Sequence, residues 1–162
     1  MPKCTILVGV PGSGKTTWRE NVPQDVQHFT IELSTDDVID RLADRWGFTY
    51  DQIFKDTISF AEKVMKRDLI EAAERDVDII IDRTNLSVKS RRKFIEMLKL
   101  YEYDFEAVVF PMPGTEKLPS EEWTRRLDSR KGKTVPAYIL SSMIEHYEVP
   151  TEAEGFDKIT FL

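Results

Sequence analysis

Gly9-Val10-Pro11-Gly12-Ser13-Gly14-Lys15-Thr16 matches the pattern G-x-x-x-x-G-K-[ST] at every fixed position. Thr5 to Val8, just before it, is a short β-favouring apolar run, and Thr16 to Asn21 reads as the start of a helix. Strand, glycine loop and helix, in that order, form the context in which this pattern makes an anion-binding loop. Gly12 and Gly14 let the backbone curl so that successive N–H groups point inward, and the helix N-terminus adds its partial positive charge. Gly12, Ser13, Gly14, Lys15, Thr16 and Thr17 are therefore the expected nucleotide-binding residues. Lys15 is expected to neutralise the β- and γ-phosphates of ATP, and the Thr16 hydroxyl to ligate Mg²⁺, a cation that takes oxygen ligands and keeps several waters.

Outward from the loop, strands alternate with helices. Phe29 to Leu33 reads as a second strand, after which Ser34 or Thr35 N-caps a helix running to about Trp46 with Val38, Ile39 and Leu42 on one face. Ile53, Phe54, Ile58, Phe60, Ala61, Val64, Met65, Leu69 and Ala72 recur at helical spacing, which predicts one long helix from Asp51 to about Arg75, with Ser59 as the place where a break would fall if there is one. Val77 to Ile81 is a β-branched run of the kind buried on both faces of a sheet, with Asp82 at its end. Ser87 caps a helix to about Tyr101, and Phe105 to Phe110 is a further strand ended by Pro111 and Pro113. Ser120 to Arg130 is a polar helix, Pro136 begins a helix from Ala137 to Tyr147, and Ile159 to Leu162 is a last strand. This order predicts an α/β fold with a mostly parallel central sheet whose ligands bind beyond the carboxyl ends of the strands.

A length of 162 residues, 41% hydrophobic and 32% charged, fits one globular domain over 1–162 with room for a real core. The single Cys4 lies in the first apolar run, where it reads as a buried strand residue without an internal disulfide partner. Cys4 to Val10 is too short to span a membrane and runs into glycines instead of a cleavage site, so the expectation is a cytoplasmic protein without a membrane partner. A formal charge of −6 argues against a surface that coats nucleic acid through many Lys and Arg contacts. One local basic run stands out, Arg125, Arg126, Arg130, Lys131 and Lys133, interrupted by Asp128. Alone it reads equally as a solvated helix face.

The glycine loop is shared by kinases, switch GTPases and motor or AAA-type ATPases, so other residues must choose among them. A GTPase would carry an Asn-Lys-x-Asp guanine-reading motif, which the sequence lacks, and motor ATPases usually have more chain and accessory domains. A small kinase needs a carboxylate near the acceptor hydroxyl and cations that close over the transferring phosphoryl group. Asp36 and Asp37 follow the second strand at a helix start, and Asp36 is the candidate base; as helix N-terminal residues they would also complement the helix dipole. His28 and His146 lie elsewhere. Arg126 and Arg130, one helical turn apart, are candidates to clamp phosphate oxygens from a mobile helical lid spanning about 115–134. Asp82, placed beside the loop if its strand neighbours the first, is a candidate to orient Mg²⁺ or its water, with Asn85 hydrogen-bonding in the same turn. Trp46, Phe48 and Tyr50 read as packing residues or as the wall of a closed pocket over Asp36.

Four segments together resemble the 5′-hydroxyl polynucleotide kinase branch of small P-loop kinases, of the bacteriophage and tRNA-ligase kinase-domain type. They are Gly9 to Trp18, Asp36-Asp37, Asp82-Arg83-Thr84-Asn85-Leu86, and Arg126 to Gly132 followed by Val135-Pro136. The likeness covers most of the chain. It implies a three-layer P-loop kinase fold with an adenylate-kinase-like sheet and small helical lid, ATP·Mg²⁺ as donor, Asp36 as base, and Arg126 and Arg130 on the lid. A nucleic-acid hydroxyl, DNA or RNA, is then the expected acceptor, first a polynucleotide 5′-OH. Similar phage kinases act on hydroxymethylpyrimidines in DNA, and a nucleoside or other small metabolite is a further alternative. The phage-type pattern places an arginine three residues after the base, where this chain has Ile39, followed by Asp40 and Arg41. The tail Val149 to Asp157 is also similar to kinase-like domains of nuclear ribonucleoproteins, in which the acceptor carboxylate is thought to be missing.

Overall fold

A computed structural model describes residues 1–23 and 29–162, so His28 lies outside the described residues. Five strands, β1 (Lys3–Val8), β2 (Thr30–Leu33), β3 (Asp78–Ile81), β4 (Asp104–Val109) and β5 (Lys158–Phe161), form one sheet in the order β2-β3-β1-β4-β5. Every pairing is parallel. Six helices alternate with them: α1 (Lys15–Asn21), α2 (Thr35–Trp46), α3 (Tyr50–Glu74), α4 (Val88–Met97), α5 (Ser120–Asp128) and α6 (Ala137–Glu145).

Period-two alternation along β1 feeds two different apolar layers. Cys4, Ile6 and Val8 join Ile79 and Ile81 of β3, Met65 and Leu69 of α3, and Phe94 of α4 in one core. Leu7 faces the other way, into a smaller cluster with Ile80, Val108 and Phe110 that Trp18 of α1 covers. Trp18 meets Phe110 edge-on, with ring centroids 6.2 Å apart, a geometry worth about 1 kcal/mol beyond the area it buries. Helices therefore cover both faces, which a fully parallel sheet of near-continuous apolar strands requires. Cys4 is fully buried in β1, and burial drives its thiol pKa far above the ordinary range.

Caps set the helix starts. Ser34 Oγ accepts the Asp37 N–H at the head of α2, and reciprocal capping boxes, Thr49 with Gln52 and Ser87 with Ser90, open α3 and α4. Several helix ends fall short of the sequence expectation, and the open point within α3 is decided. α3 runs unbroken through Ser59, because its buried residues Ile53, Thr57, Ala61, Met65, Leu69 and Ala72 keep one continuous seam. α4 stops at Met97, where fully buried Leu98 turns the chain toward β4. α5 stops at Asp128, so Arg130 sits beyond it in a turn and does not share a helical face with Arg126. Among the described residues no helix is long and apolar enough to cross a membrane.

The register brings the sheet's carboxyl ends together. Ile6 pairs with Ile81 and Leu33 pairs with Ile81, so the chain leaves β1, β2 and β3 at one edge. Gly9 N–H donates to Thr84 O at 3.0 Å, and Asp82 N–H donates to Leu33 O at 2.8 Å. The loops after three strands are thus hydrogen-bonded to one another.

Candidate active site

The glycine loop turns on positive φ values of 77° at Gly12 and 104° at Gly14, conformations that disfavour a side chain. At Gly9 the constraint is space: a Cβ there would lie 2.5 Å from Ser13 Oγ and 2.9 Å from Phe110 Cβ. Ser13 Oγ is buried and has no hydrogen-bond partner among the described residues. A buried hydroxyl without a partner inside a glycine cradle is the donor that a phosphate oxygen would satisfy. The loop fits a nucleotide polyphosphate.

Lys15 Nζ donates to the Gly9 and Val10 carbonyls, both at 2.9 Å. Burial lowers its pKa from 10.5 to about 8, with Arg130 pulling the same way and the charges of Asp82 and Asp36 opposing. That gives a sign for the pH dependence of nucleotide binding. Below about pH 8 the free protein already carries the lysine charge that polyphosphate needs. Above it, binding must first restore a proton, so the Kd for ATP should stay flat to pH 8 and then weaken roughly tenfold per unit. Calorimetric titration with ATP between pH 7.5 and 9.5 checks this, and a flat profile across the range refutes it.

Asp82 follows β3 beside the loop and is largely buried, with 9% of its side chain exposed. Burial raises its pKa, opposed by Lys15 and Arg19 and reinforced by Asp37 and Asp36. Thr16 and Thr17 are exposed on the first turn of α1. Thr16 and Asp82 supply the oxygen donors that would hold Mg²⁺. Among the described residues no group of three His, Cys, Asp or Glu side chains forms a metal cage, and a Mg²⁺ carried mainly by phosphates and water needs none.

Arg19 was not singled out by the sequence, yet it organises the carboxylates. It lies on α1 one turn after Lys15 and reaches Glu32 at 3.1 Å, Asp37 at 2.9 Å and Asp82 at 3.2 Å. The i, i+4 spacing from Lys15 was the available signal; the partners depend on sheet register. Asp37 is thereby engaged by an arginine, whereas Asp36 accepts the Tyr50 hydroxyl at 2.7 Å. This geometry separates two carboxylates that are adjacent in sequence. Ile39 is fully buried in the α2–α3 core, so that position points away from any substrate. Arg41 bonds the Asp37 carbonyl at 3.3 Å.

α5 rests on the loop. Trp123 Nε1 donates to Pro11 O at 2.7 Å, and a Cβ on Gly12 would lie 3.2 Å from Leu127. Neither residue was expected in the site, because their periodicity is buried among charges. Arg126 donates to Gly12 O at 3.4 Å and to Glu122 at 2.9 Å, and Arg130 lies near enough for its charge to act on both Lys15 and Tyr50. The basic run does not form one cationic face: Arg125 pairs with Glu122, and Lys133 with Asp40 at 2.6 Å.

Past Arg130 the chain forms a strap over the α2–α3 turn. Asp51 N–H donates to Gly132 O at 2.9 Å, and the Thr134 N–H donates to both oxygens of the Asp51 carboxylate, each at 2.9 Å. Trp46 and Phe48, 51% and 53% exposed, neither pack in a core nor close a pocket.

Parallel sheet, glycine loop and α1 define a P-loop nucleotide-binding protein. Residues 5–150 match the AAA domain family, and the chain belongs to it. The bifunctional polynucleotide phosphatase/kinase of Schizosaccharomyces pombe is 23% identical over 154 residues, covering 95% of this chain and 32% of that protein. Heterogeneous nuclear ribonucleoprotein U-like protein 2 of Mus musculus is 25% identical over 165 residues, covering 96% of this chain and 21% of that protein. The chain thus spans a third or less of the curated relatives it matches. A chain in the Pnkp1/Rnl/Hen1 RNA repair complex superposes with a TM-score of 0.63 at 25% identity, over 90% of this chain and 43% of that one. The resemblance to polynucleotide kinases read from the sequence holds in both comparisons.

Proposed function

We propose that this chain is an ATP-dependent kinase that transfers a phosphoryl group to a nucleic-acid hydroxyl, first a polynucleotide 5′-OH. The observation that carries this reading is Asp36: a carboxylate whose charge reaches Lys15 and Asp82 and which, among the described residues, forms no ion pair with an arginine, Arg19 engaging Asp37 and Asp82 instead. When bound, ATP·Mg²⁺ supplies the γ-phosphoryl group and the metal charge that offsets its oxygens. Lys15 would exchange its loop carbonyls for the β- and γ-phosphates, and Thr16 and Asp82 would hold the metal. Asp36 accepts the proton of the acceptor hydroxyl as the new P–O bond forms and the bond from the γ-phosphorus to the β–γ bridging oxygen breaks, with ADP as the leaving group. Arg126 and Arg130, on a lid comprising α5 and the strap, offset charge on the transferring group.

The resemblance of the chain to a ribonucleoprotein favours a second reading, an ATP-binding module without transfer. One experiment separates the readings. Radiolabelled ATP is offered with 5′-hydroxyl DNA and RNA, hydroxymethylpyrimidine DNA, and free nucleosides. Label on 5′-hydroxyl ends, and none on ends already phosphorylated, is the expected result. Label only on modified bases or nucleosides redirects the acceptor assignment, and ATP binding with no labelled acceptor establishes the module.

A further inference from the structure

Tyr50 opens α3 directly after its Thr49 cap, and its hydroxyl crosses to α2 to donate to Asp36 Oδ1 at 2.7 Å. Its ring is held from two sides. Phe54, one turn further along α3, stacks at a centroid distance of 5.5 Å and a tilt of 33°. Lys133 Nζ lies 4.7 Å from the ring centroid and is itself fixed by Asp40 at 2.6 Å. The backbone on both sides of Lys133 is bonded to Asp51. Three segments, α2, α3 and the strap, therefore fix where this hydroxyl points.

Tyr50 remains a donor. Burial first, then the charge and hydrogen bond of Asp36 and the charge of Asp40, push its pKa above the ordinary range, while Arg130 opposes them.

We propose that Tyr50 is the positioning residue for Asp36: its hydroxyl holds Oδ1 and leaves Oδ2 to receive the proton of the acceptor. This rests on the reading of Asp36 as the base. A hydrogen bond to a carboxylate restricts its rotation and favours its ionised form. The charge of Asp36 reaches Lys15 from α1 and Asp82 after β3; Asp40 of α2 and Arg130 act with it on Tyr50, Asp37 acts with it on Asp82, and Lys133 of the strap pairs with Asp40. All of them persist when only the Tyr50 oxygen is removed.

Tyr50→Phe is the test, because it keeps the ring that Phe54 and Lys133 hold. Expected is a fall in kcat of about tenfold with KM for ATP nearly unchanged, as for loss of one charge-assisted hydrogen bond. In an Asp36→Asn background the same replacement should cost almost no further activity, because the group that Tyr50 positions is already gone. Wild-type kcat in Tyr50→Phe overturns the proposal, as does an equal further loss in the Asp36→Asn background or an activity loss that follows thermal stability alone. The Asp36→Asn variant keeps the two ideas apart. Full turnover surviving in Asp36→Asn removes the base assignment itself, whereas a crippled Asp36→Asn beside a Tyr50→Phe with wild-type kcat removes only the role of Tyr50.

Discussion

Asp36→Asn should lower phosphoryl transfer on the order of a thousandfold while ATP binds as well as before, or slightly more tightly. General-base removal typically costs about a hundredfold to ten-thousandfold in rate. The direction of the binding effect comes from position. Asp36 lies close enough to Lys15 and Asp82 for its charge to act on both, so it repels a bound polyphosphate, and the amide removes that repulsion. Asn keeps an oxygen for the Tyr50 hydroxyl, so the α2–α3 contact survives. Asp37→Asn should behave differently: it disturbs the ion-pair set of Arg19 and is expected to reduce stability together with activity. Single-turnover kinetics and calorimetry on both variants test the contrast. Full transfer by Asp36→Asn rules Asp36 out as the base.

The largest stability effect is expected far from the chemistry, at Arg91 and Glu154. Arg91 is fully buried on α4, and Glu154, 3% exposed in the 3-10 turn Glu152–Glu154, meets it at 2.8 Å through Nε and 2.9 Å through Nη2. Glu154 Oε1 also accepts the Thr151 N–H, and Arg91 Nη1 donates to Asn85 O. Removing one partner leaves the other charge buried alone, which costs about 3–5 kcal/mol. Arg91→Met or Glu154→Leu alone should therefore lower the melting temperature by roughly 10 °C. The double replacement should recover most of that loss, because two apolar side chains leave no orphaned charge. Burial would raise the Glu154 pKa, but the Arg91 and Thr151 hydrogen bonds outweigh it, and the net direction is down. A depressed folded pKa means a contribution fully present above the unfolded value, near 4.3, and lost as pH falls through the folded one. The stability gap between wild type and Glu154→Leu should accordingly be widest near neutral pH and close in acid. Urea denaturation at pH 7 and pH 3.5 checks both signs.

How much of this was legible beforehand depended on the range of the interactions involved. The glycine loop, its flanking strand and helix, and the alternation of strands with helices are written in local spacing, so five strands and six helices were placed within a few residues. Helix ends were less legible. α4 stops where Leu98 finds the core, and that is decided by packing. The sequence already named Asp36 as the candidate base, but the different surroundings of Asp36 and Asp37 needed three dimensions, because Arg19 reaches Asp37 only after β2 and β3 pair in register. The hydrogen bonds of Tyr50, read only as a packing residue or pocket wall, and of Trp123, not singled out at all, were unreadable for the same reason: each bonds across the sequence, to Asp36 and to Pro11. Asn85 was expected to bond within its own turn. It does so to Arg83 O at 3.3 Å, and it also reaches Leu7 O on β1 at 2.7 Å, from a backbone with φ of 47°.

α5 and the strap together touch both ends of the proposed reaction. α5 is bonded to the glycine loop through Trp123 and Arg126, and a few residues later the same segment is bonded to Asp40 and Asp51 on the helices that carry Asp36 and Tyr50. One short stretch of chain would therefore be shared by the nucleotide and the acceptor of the proposed reaction. Thermodynamic reciprocity then fixes a relation between them: the factor by which nucleotide changes the affinity for the acceptor equals the factor by which the acceptor changes the affinity for nucleotide. Titrating acceptor with and without nucleotide, and nucleotide with and without acceptor, must return one and the same coupling factor.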